Sequence, residues 1–223
     1  MSTLVSDLIA EAATRISDPS VRKIVDPEWL GYYNDACHTM SRDYKVIEQD
    51  ATFDTVVNED RYDYPDDMVQ MVRLRYSATP SDDTTYKDLG EKFSDEAREL
   101  EQGGKTSGDP TRYWARGSFV QLIPRPGTAV ADGGLISYWR TADRVTVVAG
   151  SVLEFRDVLR LFVRDRMVIF GKERLERYDE ANRDLQVWTA AVEKVLDKIE
   201  DPSIDRQSRV RVPPARRAFS RMS

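Results

Sequence analysis

The chain has 223 residues, 40% of them hydrophobic and 32% charged, proportions of an ordinary soluble globular protein with enough apolar side chain to build a core. Its formal net charge of −6 is unevenly held, because residues 205–223 carry six arginines against one aspartate, a local +5 that leaves −11 on residues 1–204. An acidic body excludes a broad phosphate-gripping surface, while a short basic tail suits an anionic groove, nucleic acid or an acidic protein.

The single cysteine, Cys37, excludes an intrachain disulfide and makes a reducing compartment the default. Asp7 and Glu11 interrupt the first apolar run, so it lacks the form of a secretion signal. No stretch approaches the ~18 apolar residues of a membrane span. Neither export by that route nor a membrane partner is expected.

Leu4, Val5, Leu8, Ile9, Ala12 and Ile16 recur at helical spacing and predict a first amphipathic helix, with Ser2 or Thr3 available as its cap. Asp18-Pro19-Ser20 breaks it. Asp26-Pro27-Glu28 opens a second helix, with a capping aspartate, proline at the first helical position and acid in the first turn. Trp29, Leu30, Tyr33, Cys37, Met40 and Tyr44 give this helix a wide aromatic stripe. Cys37 and His38 would read as a metal or thiol site only with partners, yet adjacent helical residues diverge by about 100° and the chain has no other His or Cys.

The period then changes. Residues 51–57 and 68–76 alternate as strands, the second with Val72, Leu74 and Tyr76 on one face and Arg73 and Arg75 on the other. Pro65 between them cannot donate to a ladder and marks a strand end or edge. Residues 94–102 predict a short helix closed by Gly103-Gly104. Strands follow at 112–115, 119–123 and 135–140, separated by Arg116-Gly117-Ser118 and by the Pro- and Gly-rich stretch 124–134. These short strands predict a small antiparallel sheet or barrel.

The longest sustained periodicity is at 154–199, where Phe155, Leu159, Phe162, Val163, Met167 and Phe170 are followed by Leu175, Tyr178, Leu185, Trp188, Val192, Val195 and Ile199. Two helices fit, with Gly171 as the break and Asp201-Pro202 as the end. Run from residue 172 to 199, the second would be about 40 Å long at 1.5 Å per residue.

A search for chemistry is mostly negative. Gly104-Lys105-Thr106 has the end of a phosphate loop, but Glu99 stands where the first glycine belongs and Pro110 interrupts the helix that should follow. Asp63, Asp66 and Asp67 lack the spacing, central glycine and closing glutamate of a calcium loop. One histidine supports no nucleophile–base pair beyond His38 itself. Tyr113 and Trp114 beside Arg112 and Arg116 have base-stacking chemistry, although aromatics alternating in a strand are more often packing. No enzyme, cofactor or metal is expected.

The predicted class is therefore α+β. A helical bundle of two N-terminal and two long C-terminal helices takes residues 1–46 and 150–202, a small antiparallel β domain is inserted at 47–149, and 203–223 form an extended basic C-terminal arm. Four stretches in this order resemble the head-to-tail adaptor (connector, head-completion) proteins of tailed bacteriophages. They are Asp26-Pro27-Glu28-Trp29-Leu30 with Tyr33-Asn34-Asp35-Ala36; Tyr62-Asp63-Tyr64-Pro65-Asp66-Asp67-Met68 with Met71, Val72 and Leu74; Pro110-Thr111-Arg112-Tyr113 with Leu122-Ile123-Pro124-Arg125-Pro126; and the strand at 135–140. The insertion at 81–108 and the long tail depart from that pattern.

The resemblance implies a structural adaptor in the neck of the virion, assembled in the host cytoplasm. It implies a twelve-fold homo-oligomeric ring beneath the portal protein, helices against the portal and the β domain towards a tail, nozzle or second neck protein. DNA would pass through the centre without specific binding, which suits carboxylates better than a positive lining. Arg73 and Arg75 are expected to contact a neighbouring copy in the ring, because they stand opposite an acid-rich chain. Arg206, Arg209, Arg211, Arg216, Arg217, Phe219 and Arg221 are expected to bind the portal as an extended arm. Alone, that arm has too few apolar residues to offset an ordering cost of roughly 1–2 kcal/mol per residue, and Pro213-Pro214 excludes a continuous helix. The alternative is a DNA-binding or packaging-regulatory protein that uses the same arginines on phosphates.

Overall fold

A computed structural model describes residues 4–16, 24–91, 107–155 and 157–200, the last three without their side chains. The predicted caps Ser2 and Thr3, the break at Asp18-Pro19-Ser20, the helix over 94–102, Gly104-Lys105-Thr106 and the arm from 203 lie outside the described residues. The chain divides into a helical unit, residues up to 47 and from 141, and a β unit, residues 48–140. The α+β class expected from the sequence is present. Among the described residues no helix is long and apolar enough to cross a membrane.

In the helical unit, α1 (Val5–Arg15) and α2 (Asp26–Asp43) pack on α3 (Asp157–Arg174), and α3 packs on α4 (Tyr178–Glu200). Leu8, Ile16, Ile24, Trp29, Tyr33, Met40, Met167 and Ile169 are fully buried where these stripes meet. Each such side chain contributes on the order of 1.5–3 kcal/mol by leaving water. The helix starts differ from expectation. Asp26 does not cap α2; the cap is Val25, whose N–H donates to Glu28 Oε2 at 3.3 Å, so the first-turn acid closes the end instead. Asn34 explains itself by position. Its side-chain amide donates to Val145 O and its Oδ1 accepts from Val145 N, both at 2.9 Å, pinning the segment after the β unit to α2.

The break in the long pair also moves. Gly171 does not end α3; it is buried within it, and a Cβ there would lie 3.1 Å from Ile16 Cδ1 and 3.2 Å from Trp29 Cη2. Its smallness lets α1 and α2 approach. The helix ends at Glu176, which holds a left-handed φ of 61°, with Arg177 N–H on Lys172 O at 2.9 Å and Glu176 N–H on Glu173 O at 3.0 Å, the paired bonds of a Schellman turn. Lys172 Nζ then reaches Asp184 at 2.7 Å and Glu180 at 3.4 Å across the turn, and the Asp184 hydrogen bond raises its pKa. Because an L-residue costs about 1–2 kcal/mol in this conformation and glycine's extra chain entropy only about 0.5–1, Glu176→Gly should stabilise the helical unit by roughly 0.5–1 kcal/mol. A thermal midpoint that is unchanged or lower would contradict this.

The β unit is a two-layer sandwich. Its first sheet runs in the order β1 (Glu48–Thr55), β10 (Val130–Arg140), β3 (Met68–Tyr76), β4 (Lys87–Asp88). The second runs β2 (Arg61–Asp63), β8 (Phe119–Ile123), β7 (Arg112–Arg116), β5 (Gly90–Glu91), and β6 (Ser107–Gly108) pairs with β9 (Arg125–Pro126). Pairing is antiparallel except at β5–β7 and β6–β9. Phe53, Leu74, Ile136 and Tyr138 from the first sheet and Tyr62, Tyr113, Val120 and Leu122 from the second share one core. Two strands depart from their predicted limits: the first spans 48–55 rather than 51–57, and the last begins at Val130 rather than 135. Gly133 and Gly134, read as loop, lie inside β10, where Gly134 stands directly opposite Phe53.

Candidate interaction surfaces

Cys37 and His38 part as helical geometry requires. Burial pushes the Cys37 thiol up to about 12, against the lowering effect of a hydrogen bond with Tyr33, whereas His38 is exposed. A thiol so protonated is no nucleophile. Among the described residues no three His, Cys, Asp or Glu side chains gather as a metal site. Asp67, from the acidic turn, instead accepts from the Tyr138 hydroxyl at 3.2 Å, and Asp60 accepts from Gln121 at 3.0 Å and from Arg125 Nη2 at 3.2 Å.

Arg73 and Arg75 lie on the outer face of the first sheet. Arg75 is 7% exposed, with Nη2 3.9 Å from Asp50 Oδ2, and the half-buried Arg73 donates from Nε to Ser137 Oγ at 3.2 Å. Ser137 Oγ in turn donates to Asp50 Oδ1. Register explains the cluster, since Asp50, Ser137 and Arg73 are cross-strand partners and Arg75 stands one pair further on the same face. The burial of Arg75 escaped the sequence because its counter-charge, Asp50, is brought beside it only by the insertion of β10 between β1 and β3. The predicted portal-binding side chains, Arg206 to Arg221 with Phe219, lie outside the described residues.

The second sheet carries contacts that sequence reasoning left unassembled. Tyr113 points into the core, as packing requires, and its burial raises its hydroxyl to about 12. Trp114 points outward, and the Arg116 guanidinium lies 3.4 Å from its ring centre. Arg61 lies 5.3 Å from the ring centre of Phe119 on the same face. The Arg-x-Trp-x-Arg spacing of 112, 114 and 116 was the available signal, because residues two apart in a strand share a face. The Arg61–Phe119 pair depends on β2 joining β8 and had no local signature.

No curated protein matches the chain. The model of one protein family, described as SU10 adaptor protein, matches residues 3–217. That span takes in every described helix and both sheets. The chain therefore belongs to the SU10 adaptor protein family, the structural adaptors of a bacteriophage.

Proposed function

We propose that this adaptor forms a twelve-fold ring beneath the phage portal, joins the DNA-filled head to the tail and continues the DNA channel. The observation that carries the proposal is the family match over residues 3–217, which takes in most of the +5 tail as well as the −11 body. An acidic body lets phosphates pass without capture, since each phosphate contact would add to the retention of moving DNA. The basic arm is the portal anchor, its arginines forming bidentate bonds to portal carboxylates and Phe219 filling an apolar pocket. In the ring, Arg73 takes part in the contact directly and Arg75 indirectly, by holding Asp50 in place. A tail, nozzle or second neck protein attaches on the far side.

Electron micrographs of the protein mixed with its portal test this reading. A closed ring coaxial with the portal is expected, while light scattering of the free chain should show mainly monomer. A stable dodecamer without portal would overturn templated assembly. Salt-dependent DNA binding with no portal attachment would overturn the adaptor reading in favour of a DNA-binding one.

A further inference from the structure

On the second sheet, register places Arg112 opposite Ile123, Trp114 opposite Gln121 and through it Arg61, and Arg116 opposite Phe119 and through it Asp63. The residues between them, Tyr62, Tyr113, Ala115, Val120 and Leu122, turn to the core, so these three rows share the outer face. Two guanidinium groups there rest on aromatic rings, Arg116 on Trp114 and Arg61 on Phe119. A stacked guanidinium has already given up much of its rotamer freedom, and its in-plane N–H donors stay open to a planar acceptor. Such a group is preorganised for a carboxylate. Among the described residues no carboxylate lies within ion-pair reach of Arg61, Arg112 or Arg116. Base stacking fits less well, because the chain's own Arg116 occupies a face of Trp114.

The described β unit as a whole has the opposite sign. Residues 48–91 and 107–140 hold fourteen acidic against eight basic side chains, a net −6. Asp54, Asp82 and Asp83 are exposed at one end of the first sheet. Asp54 accepts the Asp132 N–H at 2.8 Å, and Tyr86, whose hydroxyl donates to Asp132 O at 2.6 Å, lies in the field of both Asp132 and Asp83. Since one core lies between the sheets, the arginine–aromatic face and this acidic face look out from opposite sides of the sandwich.

We infer that the arginine–aromatic face of the second sheet binds the acidic end of the first sheet, where Asp54, Asp82 and Asp83 are exposed, on another copy of this chain. Two different faces on opposite sides make the contact heterologous, so it propagates from copy to copy and closes as a ring instead of stopping at a dimer. This rests on the ring proposed above and names the surfaces that form it.

The test uses the Cys37→Ser protein with Ser118→Cys at the β7–β8 turn and Ser81→Cys beside the acidic turn, both exposed positions. Bound to portal and treated with a short bismaleimide, the double-cysteine protein should give a ladder of covalent multimers, and either single cysteine none. Arg61→Glu with Arg116→Glu should abolish the ladder while circular dichroism stays native, and adding Asp54→Arg with Asp83→Arg should restore it. Multimers from Ser118→Cys alone, or a ladder that survives the Arg→Glu changes, would overturn the inference. So would single-stranded DNA binding that those changes remove. Portal attachment is scored in the same samples: attachment without a ladder rejects this contact and leaves the adaptor reading standing, whereas loss of both in the parent rejects both.

Discussion

Gly134→Ala should lower the stability of the β unit by roughly 3 kcal/mol, although it adds one methyl group. Gly134 stands opposite Phe53 in the β1–β10 ladder, and the added Cβ would lie 2.1 Å from Phe53 Cζ and 2.4 Å from both Cε atoms. The ring cannot step aside cheaply. It is 3% exposed, and its centre is 4.9 Å from that of Tyr62, so displacing it unpacks the centre of the sandwich. A fall of about 12–24 °C in the midpoint of the β unit is expected from near-ultraviolet circular dichroism. Phe53→Leu, costly alone, should become partly compensating in the Gly134→Ala background. The comparison is Gly171→Ala, where the nearest atoms are side-chain tips at 3.1–3.4 Å and alanine gains about 1 kcal/mol of helix propensity, so the net change should be near zero. Equal effects at the two glycines would show that close approach to Phe53 does not decide the outcome.

These glycines also show what the sequence could and could not reveal. Helices with one buried stripe were legible: α2 announced itself through Asp26-Pro27-Glu28 and its aromatic stripe, and β3 through alternation over 68–76. Gly171 was misread because a glycine that ends a helix and one that admits a neighbouring helix look alike in a single chain, while the residue that does end α3, Glu176, carries no left-handed signature. Residues 130–134 read as loop because Gly133-Gly134 suppresses strand propensity, and the partner that makes Gly134 useful, Phe53, is far away in sequence. The same holds for charge. Arg73 and Arg75 were legible as one face of a strand, but whether a strand arginine meets water or a buried aspartate depends on register, which local alternation does not specify.

Deleting residues 203–223 should leave thermal unfolding unchanged and weaken attachment to the portal at least ~100-fold, about 2.7 kcal/mol. The segment carries all six arginines of the basic arm, and its removal shifts the net charge from −6 to −11, because Asp205 is lost with them. A chain more acidic still then faces the portal carboxylates. The arginines alone would not suffice, since each charged hydrogen bond contributes roughly 1.5–3 kcal/mol while ordering costs roughly 1–2 kcal/mol for every residue immobilised. Phe219 and the Val210 and Val212 side chains are therefore expected to share the binding, and Phe219→Ala should weaken attachment at salt concentrations where the arginine contacts are already screened. A pull-down of the truncated protein on portal, read beside its melting curve, separates the possible occupants. Retained attachment would reject the anchoring arm. A lowered midpoint would place the arm on the chain's own acidic body, and loss of a salt-dependent DNA complex with portal attachment intact would place the arginines on phosphates.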